Sequence, residues 1–303
     1  MDFQPARFRA SYLKLARAKK HFSELKDEID TYLAYRPLEM IWEPISWESR
    51  YSSIYPQDTP LLGLVAHISH VIPESLAPII GDTVHNLRSA LDIMMCELVS
   101  NIDPSLSKKA HFPFWEDESK KREALTRSRV GVAGDGIVDL IGQWQPYRRG
   151  ASRLYALHEL DNCDKHRSII PAITGAEFSK GGALSTEPVI DPFPARQLVR
   201  DGQIFMTMPA ALGELQGQKI PCACNLAFDG DEEIRGYSLL DELSSQVNIV
   251  EAVLYSFETG TPPHFVAPTP RKPAQVATGV WLTPPEFTPA QMEEFIKAKM
   301  CGE

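Results

Sequence analysis

The chain has 303 residues, of which 43% are hydrophobic and 23% are charged, and its formal net charge is −9. These values are typical of a globular protein with a large core, and the negative charge excludes broad binding to nucleic acid, which needs a basic surface. A nucleic-acid partner would therefore require a local basic groove. No apolar run approaches the roughly 20 residues that span a bilayer, so no membrane partner is expected.

The N-terminus and the cysteines indicate a cytoplasmic protein. The first residues lack the charged and apolar regions of a secretory signal. The five cysteines are scattered, which does not suggest a disulfide framework. Cys222 and Cys224 are close in sequence, but two thiols are too few for a zinc site.

The first part of the chain is predicted to form a long helix and then a β-hairpin. Apolar residues recur at three- and four-residue steps over residues 6–35, which is the helical period. Strand-like runs follow at 40–42, 45–47 and 62–68, and the turn-forming stretch 55–60 separates them.

Two more helices are predicted in the middle of the chain, with a loop-rich stretch between them. The first covers residues 75–100, and Asp82 or Thr83 is the expected N-cap of its main part. The second runs over 152–170 and is expected to end before Pro171.

The last part combines strands, one helix and a proline-rich tail. Strands are predicted between residues 180 and 237, notably at 203–208 and 222–228, and an amphipathic helix follows at 238–257. The tail 259–303 holds many prolines and is predicted to be an extended arm.

Together these elements predict an α+β fold, with a helical core and a small antiparallel β-sheet. Residues 1–258 are expected to form a single domain, with the charged-motif helices at about 75–170 and a β-rich part at about 180–237. The arm 259–303 is a candidate contact for a homodimer.

The first predicted middle helix carries the segment GDTVHNLRSALD at residues 81–92. At about 100° per residue, His85, Arg88 and Asp92 form a line beside the apolar face. Arg88 can therefore pair with Asp92 one turn further along.

The second helix carries LDNCDKHR at residues 160–167, and its two aspartates fall on the apolar face. Carboxylates in such a position require partners. Lys165 projects elsewhere on an ideal helix, so we expect the two helices to pack with Asp161 and Asp164 facing Arg88 and His85.

This cluster has two interpretations. It is either a buried structural brace or ligand-recognition pocket, or the site of a metal-independent hydrolase with His85 or His166 as acid/base and Arg88 or Lys165 as anion holder. The candidate catalytic residues are His85, Arg88, Asp161, Asp164, Lys165 and His166, and the candidate binding residues are Asn86, Asp92 and Arg167. No metal or cofactor is expected, because cationic neighbours oppose a metal ion and no metal-binding spacing is present. The GxSxG signature of a serine nucleophile is also absent from the sequence.

Four stretches resemble a family of uncharacterised bacterial and phage proteins. They are the segment 81–92, Phe112-Pro113-Phe114, Gln145-Pro146-Tyr147 and LHELDNCDKHR at 157–167. The resemblance covers roughly residues 75–170, and it implies that the two charged helices belong to one module. It implies no activity.

A looser likeness is to the HEPN ribonucleases, helical proteins with an Arg-x4–6-His motif, which Arg153 and His158 fit. This likeness implies metal-free RNA cleavage, with the histidine as base and the arginine on the phosphate. On an ideal helix the two side chains lie about 140° apart, which does not favour their convergence.

Overall fold

The computed structural model describes residues 7–48, 51–166, 170–178, 198–212, 215–220, 222–229 and 234–263. These residues contain helices and an antiparallel sheet, so the predicted α+β fold is confirmed. The predicted arm lies outside the described residues beyond residue 263, as do residues 180–197 of the predicted β-rich part.

The described residues form six α-helices, four long and two short. They are α1 (Arg9–Ala34), α2 (Leu76–Ser100), α3 (Lys121–Arg127), α4 (Asp135–Gln143), α5 (Leu154–His166) and α6 (Leu239–Thr259). None of these helices is both long and apolar enough to cross a bilayer.

The predicted hairpin is confirmed. Strands β1 (Leu38–Ile45) and β2 (Leu61–Ile68) pair antiparallel over their full lengths. Strands β4 (Ile204–Pro209) and β5 (Lys219–Ile220) extend this sheet, on the free edges of β2 and β1 respectively. A second, two-stranded sheet contains β3 (Ile170–Phe178) and β6 (Cys222–Asp229).

The predicted N-cap of α2 is wrong, although the predicted range 75–100 matches the helix. Helix α2 begins at Leu76, nearly two turns before Asp82, so Asp82 and Thr83 lie inside the helix. The first turns bury Leu76 and Ile80 completely. Pro78 is tolerated there because the backbone N–H groups of a first helical turn have no partner within the helix, so the N–H that proline lacks is not needed. Burial therefore determines the start of this helix more than capping does.

The predicted end of the second middle helix is also wrong. Helix α5 ends at His166, and Pro171 belongs to strand β3. Proline is compatible with the beginning of a strand, and the β-branched Ile170 and Ile173 favour extended backbone. At the other end, Arg153 has a left-handed φ of 58°, so the helix begins after it.

The described residues divide into two compact units. The first contains residues 7–31, 72–166 with 170–172, and 226–229 with 234–263, and the second contains the described residues of 32–71 and 173–225. Both charged helices belong to the first unit, so the candidate site lies within it. The single domain over 1–258 stays a prediction.

The core of the first unit contains the apolar faces of α2, α5 and α6. The apolar arc predicted for α2 is buried, with exposures of 0–5%; its members are Val84, Leu87, Leu91, Met94, Met95 and Leu98. The leucines of α5 are fully buried as well: Leu154, Leu157 and Leu160.

Candidate functional site

Arg88 and Asp92 form the predicted pair one turn apart on α2. The Nη2 atom of Arg88 lies 3.0 Å from Oδ1 of Asp92, and Nε donates to Oδ2 over 3.1 Å. This is a bidentate, charge-assisted contact, which fixes the plane of the guanidinium group. Arg88 is only 8% exposed, whereas the side chain of Asp92 is 32% exposed, so the guanidinium group is buried and the carboxylate reaches the protein surface.

The same pair binds the backbone of Phe112 from both sides. Arg88 Nη2 donates to the carbonyl oxygen of Phe112 over 3.0 Å, and Asp92 Oδ1 accepts from its N–H over 2.9 Å. One turn further along α2, Cys96 donates its thiol to the carbonyl of Ala110. Helix α2 therefore provides the hydrogen bonds that this buried backbone segment needs.

Phe114 connects Arg88 to helix α5. The guanidinium carbon of Arg88 lies 4.3 Å from the centre of the Phe114 ring. The same ring stacks on His158, with centroids 4.9 Å apart and planes 8° from parallel. We call Arg88, Asp92, Phe112, Phe114 and His158 the brace, because their contacts run from α2 through the 112–114 segment to α5.

The imidazole of His158 is held in its neutral form. Burial and, to a smaller extent, the charge of Arg88 lower the pKa of His158, while Asp161 opposes the shift, and the resulting pKa is about 4. Its Nε2 atom lies 3.2 Å from Nδ2 of Asn162. Among the described residues its buried Nδ1 has no hydrogen-bond partner.

The QPY stretch continues the segment that the brace holds. Trp115 donates its backbone N–H to the carbonyl of Pro146 over 3.2 Å, and its ring stacks on Tyr147. A Cβ atom at Gly150 would collide with the carbonyl oxygen of Gln145. Glycine is therefore needed where this turn closes.

A second cluster, half open to solvent, surrounds Asp161. This carboxylate is 2% exposed, and its Oδ1 lies 3.8 Å from Nδ1 of His85 on α2. Its Oδ2 lies 2.5 Å from Nζ of Lys165. The side chains of His85 and Lys165 are 56% and 51% exposed, so the predicted approach of His85 to Asp161 is confirmed at the protein surface.

The ideal helix predicted that Lys165 projects away from the aspartates, and this prediction is wrong. It lies one turn after Asp161, at a spacing where a long lysine side chain can reach back to a carboxylate. Arg88, which we expected opposite the aspartates, is instead held by Asp92 and Phe112.

Ser89 is a neighbour of His85 that the sequence reasoning missed. Its Oγ lies 3.4 Å from Nε2 of His85, one turn away on α2. The spacing of four residues was the available signal. We call His85, Ser89, Asp161 and Lys165 the rim cluster.

Asp164 lies against the backbone of α2 at Gly81, where an added Cβ atom would collide with its carboxylate. Burial raises the pKa of Asp164, as does the charge of Asp161, while His85 lowers it. The glycine of the GD motif therefore allows the two helices to approach closely.

Asn86 is buried, and its amide group is engaged within the protein. It accepts a hydrogen bond from Lys14 of α1 over 3.3 Å, and it donates to the carbonyl of Asp82 over 2.7 Å. The side chain of His166 and all of Arg167 lie outside the described part of the chain.

Arg153 and His158, which fit the HEPN motif, make separate contacts. Arg153 pairs with the buried Glu242 over 2.7 Å and lies 4.4 Å from the ring centre of Tyr237. His158 stacks on Phe114.

Two further observations concern ligands. Within the described ranges, no group of three His, Cys, Asp or Glu side chains is placed to hold a metal ion. An open pocket of about 430 Å³ lies at α3 and α4, between Lys121, Arg122 and Asp135, and its lining includes none of the predicted site residues.

Comparison of the chain with protein-family models, with curated proteins and with solved structures finds no match in any of the three. The likeness to a bacterial and phage family therefore stays a prediction that rests on the four stretches themselves.

Proposed function

We propose that the buried cluster around Arg88 is a structural brace, which holds α2, the 112–114 segment and α5 in one arrangement. The observation that carries this proposal is the double hydrogen bond from Arg88 and Asp92 to the backbone of Phe112. A ligand at this position would have to displace a buried backbone segment, so the brace reading is favoured over a recognition pocket.

The expected contribution of the brace is large. Removal of one partner from a fully buried ion pair costs about 3–5 kcal/mol. Here the carboxylate of Asp92 is 32% exposed, so water offsets part of that cost, while the carbonyl of Phe112 also loses its donor; we expect about 3 kcal/mol in total. A domain has a total unfolding free energy of only about 5–15 kcal/mol. We therefore expect Arg88 to supply a substantial part of the free energy of unfolding.

The test is Arg88→Met, which keeps the aliphatic stem and removes the hydrogen bonds. We expect the unfolding free energy in urea to fall by about 3 kcal/mol. Asp92→Asn keeps an oxygen for the N–H of Phe112 and should cost about 1–2 kcal/mol. Arg122→Met, at an exposed position of α3, is the control and should change little. An Arg88→Met protein as stable as the parent would contradict the brace.

A second candidate function is that of a metal-independent hydrolase at the rim cluster, with His85 as acid/base. What supports it is the half-exposed imidazole of His85 beside the buried carboxylate of Asp161. A carboxylate in this position orients an imidazole and favours its protonated form during proton transfer. Lys165 is the anion holder in this proposal, because its side chain is 51% exposed even though it pairs with Asp161, whereas Arg88 is buried in the brace.

The test of the second candidate measures hydrolysis of RNA and of aryl esters with a chelator present. We expect His85→Ala to remove activity without a change in melting temperature. His70→Ala, at an exposed position, should retain it. Parent protein that hydrolyses neither substrate would contradict this candidate and leave the brace unaffected, because the brace is tested by stability.

A further inference from the structure

We infer that Ser89 is the nucleophile of a Ser89–His85–Asp161 relay at the rim cluster, and that its substrates are activated carboxylic esters. This inference rests on the second candidate function and extends it, by adding a covalent step and a substrate class.

The atoms follow the order that such a relay requires. Ser89 Oγ contacts Nε2 of His85 at 3.4 Å, and the other ring nitrogen, Nδ1, faces Asp161 Oδ1 at 3.8 Å. A nucleophile, a base and a group that orients the base are the recognisable parts of nucleophilic catalysis, whatever fold supplies them. The relay is thus recognised by geometry, although the sequence carries no GxSxG signature.

The positions of the three residues in the fold suit this role. Ser89 and His85 lie one turn apart on α2, so their relative position is fixed by the helix. Asp161 comes from α5 and is buried, whereas His85 is open to solvent and Ser89 is partly exposed. The orienting group is therefore shielded from water, and the reacting group is accessible to a substrate.

Lys165 completes the cluster. It pairs with the second oxygen of Asp161, which leaves Oδ1 directed to His85. Its half-exposed ammonium group places positive charge at the rim, where it favours the negative charge that develops on a carbonyl oxygen during attack.

The reaction proceeds in two balanced steps. Ser89 Oγ forms a bond to the carbonyl carbon and its proton passes to His85 Nε2; the bond to the leaving oxygen then breaks, and the alcohol departs with that proton. In the second step a water molecule attacks the acyl-serine and gives a proton to Nε2, which returns it to Ser89 as the acid is released. The net change is an ester and water to an acid and an alcohol.

The resting distances favour activated substrates. Both contacts are longer than the roughly 2.6–3.2 Å of a catalytic hydrogen bond, so they must shorten when a substrate binds. A relay with this resting geometry favours leaving groups that depart easily. Aryl esters and thioesters fit this requirement, and peptide bonds do not.

The test uses the full chain and a fluorophosphonate probe, which phosphonylates activated serines with loss of fluoride. We expect mass spectrometry to place the adduct on Ser89. Ser89→Ala should abolish both the labelling at this position and the acyl burst with p-nitrophenyl acetate, because it removes the atom that reacts. His85→Ala should lower both by about 100-fold, the usual size of a general-base contribution. Ser100→Ala, at the end of the same helix, is the matched control and should react like the parent.

The outcomes separate the two proposals. Ester hydrolysis that depends on His85 but is unchanged in Ser89→Ala would overturn the nucleophile and leave His85 as acid/base. An inactive and unlabelled parent would overturn both. If Ser89→Ala does not fold, Ser89→Cys takes its place. We expect the new thiol to be alkylated faster when His85 is present than in a protein that also carries His85→Ala. Equal alkylation rates in the two proteins would overturn the relay.

Discussion

Acidification should destabilise the first unit through His158, at the centre of the brace. The unfolded chain has an ordinary histidine with a pKa of 6.5, whereas burial lowers the pKa in the folded protein to about 4. Between these values the unfolded state binds a proton that the folded state does not. The unfolding free energy therefore falls as the pH drops from 6.5, and the loss is complete below about 4.

The loss of unfolding free energy follows from the difference between the two pKa values. Each pH unit corresponds to about 1.36 kcal/mol, so the full loss is about 3 kcal/mol. An imidazolium in this position would lie against Phe114 and near three other cations. The charged groups around it are Arg88, Lys165 and Arg127, which oppose protonation, and Asp161, which favours it.

The assay is urea unfolding at several pH values between 7 and 4.5, on the parent and on His158→Phe. The phenylalanine keeps a ring against Phe114 and cannot bind a proton, so the variant should lose about 2–3 kcal/mol less than the parent over this range. His70 offers a matched control, because it also stacks on an aromatic ring, that of Tyr35, but is exposed. His70→Phe should retain the pH dependence of the parent. Identical pH profiles for the parent and His158→Phe would refute the reasoning.

Two more predictions concern close packing and thiol burial. In the urea assay, Gly81→Ala should lower the unfolding free energy by about 1–3 kcal/mol, since the new methyl group meets the carboxylate of Asp164. The control is Gly136→Ala in α4, which should be neutral or stabilising because a Cβ atom has open space there. Burial raises the pKa of the Cys224 thiol to about 11, so iodoacetamide at pH 8 should alkylate this residue much more slowly in native than in urea-unfolded protein, as peptide mass spectrometry would show. Equal alkylation rates in the two states would contradict the burial of Cys224.

The sequence was sufficient for features that depend on local periodicity. Strand-like runs on either side of a turn-forming stretch predicted the hairpin of β1 and β2, and the helical period predicted α1, α2 and α6. The period gave the range of α2, but the N-cap was wrongly assigned to Asp82 or Thr83, because the burial of Leu76 and Ile80 places the start of the helix before them. Such burial depends on neighbours that are distant in sequence.

The same distinction applies to the candidate site. The pair of Arg88 and Asp92 followed from its spacing, and the approach of His85 to Asp161 followed from the need of a carboxylate on an apolar face for a partner. The binding of the Phe112 backbone could not be predicted, since a backbone group 20 residues away leaves no mark in the sequence. Ser89 had a readable spacing, but serine on a helix is too common for that spacing to indicate a role.

The brace and the rim cluster are coupled through α2. Arg88 directly precedes Ser89, so the contacts that fix Arg88 also fix the helix turn that carries the serine. The rim needs this support, because the distance from His85 to Asp161 is set by how α2 packs on α5. We therefore expect Arg88→Met to weaken any reaction that depends on His85, although Arg88 touches no substrate. The loss of activity caused by Arg88→Met should be smaller in protein that already carries His85→Ala than in the parent. If the two clusters were independent, the losses of the two single variants would add in the double variant.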